Sequence, residues 1–234
     1  MKLCRVQCAV LIIPLVLALL HPSDASEPEP SKPERGLYHV SSNGSMCLLA
    51  YMALQFNLTY DSPSMNKTVH NLVNLNPNAT TTSGSCDNDS AFLRLSADAE
   101  KMNLTFHFSL NTTSNKYHLN EVILTAVWPD TKESFTAQND SLDYLQGTLG
   151  FSYMCREEQT LDVDQHLSIN TFQLQVQPFG LAENQFGAAE ECQLDEDDML
   201  IPIIVGGALA GLVLIVLLAY LIGRKRSHAG YQTI

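Results

Sequence analysis

Four of the six cysteines, eight Asn-x-Ser/Thr tripeptides and one tyrosine near the C-terminus are the residues of this sequence whose types and spacing could do chemistry. Between an apolar stretch at the N-terminus and another near the C-terminus stand Cys47, Cys86, Cys155 and Cys192. An even number of thiols in an oxidising compartment reads as disulfides. Four cysteines allow three pairings. The similar separations of 39 and 37 residues favour Cys47–Cys86 with Cys155–Cys192, and spacing leaves the other two pairings open. A zinc site would need C-x-x-C or H-x-x-x-H spacing, which the sequence lacks, so no metal and no cofactor is expected.

The sequons are Asn43, Asn57, Asn66, Asn78, Asn88, Asn103, Asn111 and Asn139, each an acceptor for an N-linked glycan in a secreted chain. With 15 asparagines between residues 37 and 194 and about 18% Ser plus Thr, chance would supply about three such tripeptides. Eight is an excess. At the other end, Gly230 precedes Tyr231-Gln232-Thr233-Ile234. A tyrosine followed three positions on by a bulky aliphatic residue can bind in extended form, its ring and Ile234 filling two pockets while the backbone pairs with a sheet edge. Clathrin adaptor medium subunits read that pattern, so they are the expected partners of the tail.

Catalysis finds no such constellation. There is no G-x-S-x-G, no H-E-x-x-H and no glycine-rich phosphate loop. His39, His70, His107, His118 and His166 are scattered, and His107 falls on the outward phase of a strand, where a solvated side chain is expected rather than a base. The reading is non-enzymatic.

These residues need elements that place them on the correct sides of a membrane. Residues 1–25 open with Lys2 and Arg5, run apolar from Cys8 to Leu20 and reach Ser23-Asp24-Ala25, small residues at the positions a signal peptidase requires. A run of about 13 apolar residues is too short to span a bilayer, so residues 1–25 read as a signal peptide cleaved after Ala25. Met199 to Ile222 is 24 residues without a charged side chain, about 36 Å long as a helix and enough to cross. Pro202 falls near the start of that span, where a missing N–H costs little. Asp195-Glu196-Asp197-Asp198 precede the span and Arg224-Lys225-Arg226 follow it. Basic residues stay cytosolic, so the larger N-terminal part is lumenal and residues 223–234 form a cytosolic tail. Losing Lys2, Arg5 and Asp24 moves the formal net charge from −12 to −13, which excludes nucleic acid and anionic lipid headgroups as partners of the lumenal face. Within the span Gly207 and Gly211 lie four apart on one helix face, which would let a second transmembrane helix approach closely.

Residues 26–36 (SEPEPSKPERG) read as a proline-rich linker, and 37–194 as one domain. Its apolar period is two. From Leu48 to Tyr60 every even position is apolar; Met102, Leu104, Phe106, Phe108 and Leu110 alternate with polar residues; Phe172, Leu174 and Val176 alternate with Gln173, Gln175 and Gln177. Glu121 to Trp128 and Thr148 to Cys155 are further candidates. The expected fold is an all-β, antiparallel lumenal domain with one buried face, followed by one transmembrane helix. Asn57, Asn103 and Asn111 fall on the outward phase, as glycan carriers must.

The stretch from Gln185 to Ile234, QFGAAEECQLDEDDMLIPIIVGGALAGLVLIVLLAYLIGRKRSHAGYQTI, resembles the end of the lysosome-associated membrane glycoproteins, and the tail RKRSHAGYQTI is closest to the type 1 member. More loosely the four-cysteine layout and dense sequons extend the resemblance over the lumenal domain. It implies a β-prism domain, the pairings Cys47–Cys86 and Cys155–Cys192, and residence in late endosomal and lysosomal membranes with minor passage through the plasma membrane. Roles in protecting the limiting membrane, in lysosome biogenesis, in autophagy and in endosomal fusion are implied as well. The large members carry two lumenal domains joined by a proline-rich hinge. This sequence carries one, as single-domain members such as macrosialin do, with SEPEPSKPERG as a short remnant of a stalk.

Overall fold

Alternating apolar side chains can bury only one face of a sheet, so two such sheets must close on each other. A computed structural model describes residues 32–97, 101–127, 130 and 134–229. The sequence-predicted signal peptide lies outside them, as do Trp128 and the tail from Gly230 to Ile234.

Thirteen strands are described: β1 (Gly36–Ser42), β2 (Ser45–Ser62), β3 (Lys67–Asn74), β4 (Thr80–Cys86), β5 (Ser90–Ala97), β6 (Met102–Asn111), β7 (Lys116–Ala126), β8 (Phe135–Asn139), β9 (Tyr144–Thr148), β10 (Ser152–Cys155), β11 (Gln159–Asp164), β12 (Leu167–Gln177) and β13 (Ala189–Glu191), followed by helix α1 (Gln193–Ala229). One sheet has seven strands in the order β1-β2-β12-β10-β13, with β3 also on β2 and β11 also on β12. The other has six, β4-β5-β6-β7-β8, with β9 also on β7. All pairings are antiparallel except β10 with β13. Among the described residues the fold is all-β apart from α1 and one 3-10 turn at Pro77–Ala79.

The inward phase of β2 is the sequence pattern itself: Leu48, Ala50, Met52, Leu54, Phe56 and Leu58 are all buried. They meet Leu93 and Leu95 of β5, Leu104 and Phe106 of β6 and Leu124 of β7 in one core between the sheets. Gly84 of β4 is required by this closeness. A Cβ there would lie 2.2 Å from the carbonyl oxygen of Phe92 and 2.6 Å from the Val40 side chain. The β1–β2 hairpin turns through Asn43 and Gly44, both at positive φ (53° and 84°), the backbone that Asn-Gly favours.

Period two alone misplaces one residue. Phe172 does not share a face with Leu174 and Val176. It pairs with Ala53, on the phase of β2 opposite the core, where both are nonetheless buried, and the register of β12 against β2 shifts between Phe172 and Gln175. Gln173, at φ 48°, is the extra residue, and a bulge of one residue switches the face of everything beyond it. Thr171 is therefore buried against the core side, opposite Leu54. In β7 a second shift leaves Asn120 unpaired between Leu119 and Glu121, so Tyr117 and Leu119 point inward before it and Val122 and Leu124 after it. Thr148 to Cys155 likewise divides into the end of β9, a turn, and β10.

Candidate functional site

One disulfide joins strands that hydrogen bonding leaves apart, and the other reinforces a pairing that hydrogen bonds already make. Cys47 of β2 is bonded to Cys86 at the end of β4, crossing from the seven-stranded to the six-stranded sheet. Cys155 at the end of β10 is bonded to Cys192, the residue immediately before α1. Cys155, Cys192 and Asp195 form a buried group of metal-ligand types, but sulfurs bonded to each other carry no thiolate to ligate an ion.

The sequon asparagines fall into two groups. Asn43, Asn66 and Asn88 sit in hairpin turns, Asn78 in the 3-10 turn, Asn57 on the outward phase of β2 and Asn111 at the end of β6, and all six are exposed. Asn103 and Asn139 are half-buried. Asn103 is on the outer face of β6, where its Oδ1 accepts from the Ser96 hydroxyl at 2.6 Å. At Asn139 the nitrogen that would carry a sugar donates to the Val163 carbonyl at 2.8 Å, and Oδ1 accepts from the Ser141 N–H at 3.0 Å.

The five histidines between the two apolar stretches lie on separate elements: His39 on β1, His70 on β3, His107 on β6, His118 on β7 and His166 in the β11–β12 turn. His107 is on the outer face but not freely solvated. It is half-buried, stacks on Phe92 with ring centroids 5.3 Å apart, and has Nε2 3.7 Å from Glu121 Oε2. The cavity between the sheets, lined by Met52, Leu93, Phe106, Leu161 and Leu174 among others, measures about 10 Å³, room for no more than one water.

Helix α1 begins at Gln193, six residues before the predicted span, and continues to Ala229. Pro202 thus lies inside the helix rather than at its start. The bond its missing N–H cannot make is tolerated in membrane helices, where local adjustment re-satisfies the carbonyl. Pro202–Arg224 has a mean hydropathy of 2.7 and is the one described segment long and apolar enough to cross a membrane. At Gly207 and Gly211 nothing lies within 4 Å of where a Cβ would stand, so that face is open.

Residues 22–193 match the family model for lysosome-associated membrane glycoprotein 2-like luminal domains, and residues 201–232 match the transmembrane segment of lysosome-associated membrane glycoprotein 2. The chain belongs to the lysosome-associated membrane glycoprotein family. The human lysosome-associated membrane glycoprotein 1 is 50% identical over 198 residues, which are 84% of this chain and 47% of that protein. The bovine one is 54% identical over 198 residues, 84% of this chain and 48% of that protein, and human lysosome-associated membrane glycoprotein 2 is 42% identical over 212, 90% of this chain and 50% of that protein. The chain spans about half the length of the curated relatives it matches. The membrane-proximal domain of mouse LAMP-1 superposes with a TM-score of 0.65 at 39% identity, covering 70% of this chain and 99% of that one. Human LAMP-3 does so at 0.60 and 26%, covering 68% and 99%. Like the family its name describes, the chain is a lysosomal membrane glycoprotein, with one apolar helix to hold it there.

Two side chains at the heart of this arrangement carry no distinguishing signal in the sequence. Tyr117 of β7 donates to the Phe151 carbonyl at 3.0 Å and accepts from the Tyr153 N–H at 3.0 Å, linking the two sheets. Burial first, and then the charge of Glu190, push its phenol far above the usual range, offset in part by the Tyr153 hydrogen bond. Asp195 reads in the sequence as one of four acidic residues flanking the span, yet it is 5% exposed. No periodicity marks either, because both act through partners distant in sequence.

Proposed function

We propose that this chain is a type I glycoprotein coating the lumenal side of the lysosomal and late endosomal membrane, where it protects the limiting membrane and supports lysosome biogenesis, autophagy and endosomal fusion. Its role is structural rather than catalytic. The observation that carries this is the exposure of Asn43, Asn57, Asn66, Asn78, Asn88 and Asn111 around a domain closed by two disulfides. Glycans at these positions stand off the sheets and keep hydrolases from the backbone, while the cross-links keep the domain from opening to proteases.

Gly230, Tyr231 and Ile234 supply the address, read on the cytosolic side by clathrin adaptor medium subunits. The test is imaging of the full-length chain beside Tyr231→Ala, with glycosidase digestion to count occupied sequons. Transfer of the variant to the cell surface is expected; unchanged lysosomal residence removes the tail's role.

A second reading, a binding module acting within the membrane, is favoured by the open face at Gly207 and Gly211. Self-association or partner association lost in Gly207→Leu or Gly211→Leu would support it, and a helix monomeric with or without those changes would not.

A further inference from the structure

The chain has no spacer between its lumenal domain and its membrane helix. The parallel pairing of β13 with β10 brings Glu191 opposite Met154, and the Cys192 N–H continues that ladder by donating to the Met154 carbonyl at 2.8 Å. Cys192 is disulfide-bonded to Cys155, and Gln193 already belongs to α1. Two residues into the helix, the Asp195 carboxylate turns back onto the residues that follow β10. Its two oxygens accept from the Arg156 N–H at 3.0 and 2.9 Å, and one also accepts from the Glu157 N–H at 3.1 Å. The Arg156 guanidinium reaches over the same carboxylate, Nη1 to Oδ2 3.8 Å, while its Nη2 pairs with Glu191 at 2.7 Å.

A carboxylate that accepts several N–H bonds in a nearly dry position is costly to move, because displacing it leaves backbone donors unpaired. Here the donors belong to the domain and the acceptor belongs to the helix. A covalent bond at the residue before α1 and a charged hydrogen-bond cluster within its first turn fix both the position of the helix end and its rotation about its own axis.

The geometry points to a rigid clamp, formed by the Cys155–Cys192 disulfide and Asp195, that makes the lumenal domain and α1 move as one body. A neighbour that grips one face of the helix inside the bilayer therefore also sets which side of the β domain faces that neighbour above it. Asp195 is a positioning residue in this device, and Arg156 and Glu191 hold it in place. The inference rests on α1 crossing the membrane, not on any particular lumenal partner.

The test uses the full-length glycosylated chain, one copy per lipid nanodisc, with a fluorophore at Ser83→Cys on the exposed phase of β4. Time-resolved anisotropy of the otherwise unaltered chain should decay only with the slow tumbling of the whole disc. Asp195→Ala should add a second, several-fold faster decay from a domain that swings independently, with near-UV circular dichroism unchanged. If Asp195→Ala fails to fold, a Gly-Ser-Gly-Ser insertion between Cys192 and Gln193 separates helix from domain without altering any clamp residue and should show the same fast decay. A fast decay already present without these changes, or disc-limited decay in the folded variant, would overturn the clamp. Incorporation into the disc checks the membrane span separately.

Discussion

Tyr117 and Tyr153 sit in different sheets, yet the Tyr117 hydroxyl accepts the backbone N–H of Tyr153 at 3.0 Å while donating to Phe151 at the same distance. The ring is 1% exposed, and Gly147 of β9 leaves the space for it, since a Cβ there would lie 2.4 Å from the hydroxyl oxygen. One phenol thus satisfies a backbone N–H of β10, a strand with neighbours on both sides, that would otherwise be an unpaired donor.

Replacing that hydroxyl should be felt. Tyr117→Phe keeps the ring but strands the Tyr153 N–H in a buried position, a loss of about 1–3 kcal/mol. Chemical denaturation of the glycosylated lumenal domain checks it, and a midpoint within error of the parent would show that water replaces the hydroxyl.

The sheet-to-sheet disulfide should contribute more. Cys47–Cys86 closes a loop of 39 residues, which the chain-entropy model equates with about 4 kcal/mol. The Cys47→Ser/Cys86→Ser double variant is expected to melt well below the parent and to be cut faster by an acid protease. Equal proteolysis rates would mean that the core alone holds the sheets.

Glycan occupancy should follow the geometry of the acceptor nitrogen. Asn57 points into solvent, whereas Asn139 offers its nitrogen to Val163. Glycopeptide mass spectrometry should find Asn57 filled and Asn139 the least filled of the eight sequons. Asn139→Gln should then leave the glycosylated mass nearly unchanged. Full occupancy at Asn139 would show that glycosylation precedes closure of that turn.

Alkali should unfold the domain through its tyrosines. Burial, followed by the charge of Glu34, pushes the Tyr38 phenol from 10.0 up to about 12, and burial raises Tyr117 and Tyr153 as well. A raised folded-state pKa means that the neutral phenol is favoured by folding. Its contribution is complete below pH 10 and is lost as pH climbs through the folded-state value. Stability should therefore show no tyrosine dependence from acid to neutral pH. Absorbance at 295 nm should show these phenols ionising together with unfolding, and free titration of all tyrosines near pH 10 in the folded domain would contradict it.

The sequence by itself determined the inward faces of β2 and β6 and the existence of an apolar helix. Each depends on a local period or run: Leu48 to Leu58 and Met102 to Leu110 must all share a side once the chain is extended, and no bilayer-length apolar segment can stay in water. The exposed phases of Asn57 and Asn111 follow from the same alternation. Tertiary structure alone decided the rest. The bulge at Gln173 puts Phe172 on the outer face, because one extra residue in a strand inverts the phase and nothing local announces it. Tyr117 and Asp195 read as ordinary members of a strand and an acidic flank until β10 and the residues after it arrive. Their work is to satisfy backbone groups of a segment more than 30 residues away, and such partners become visible only when the chain has closed on itself.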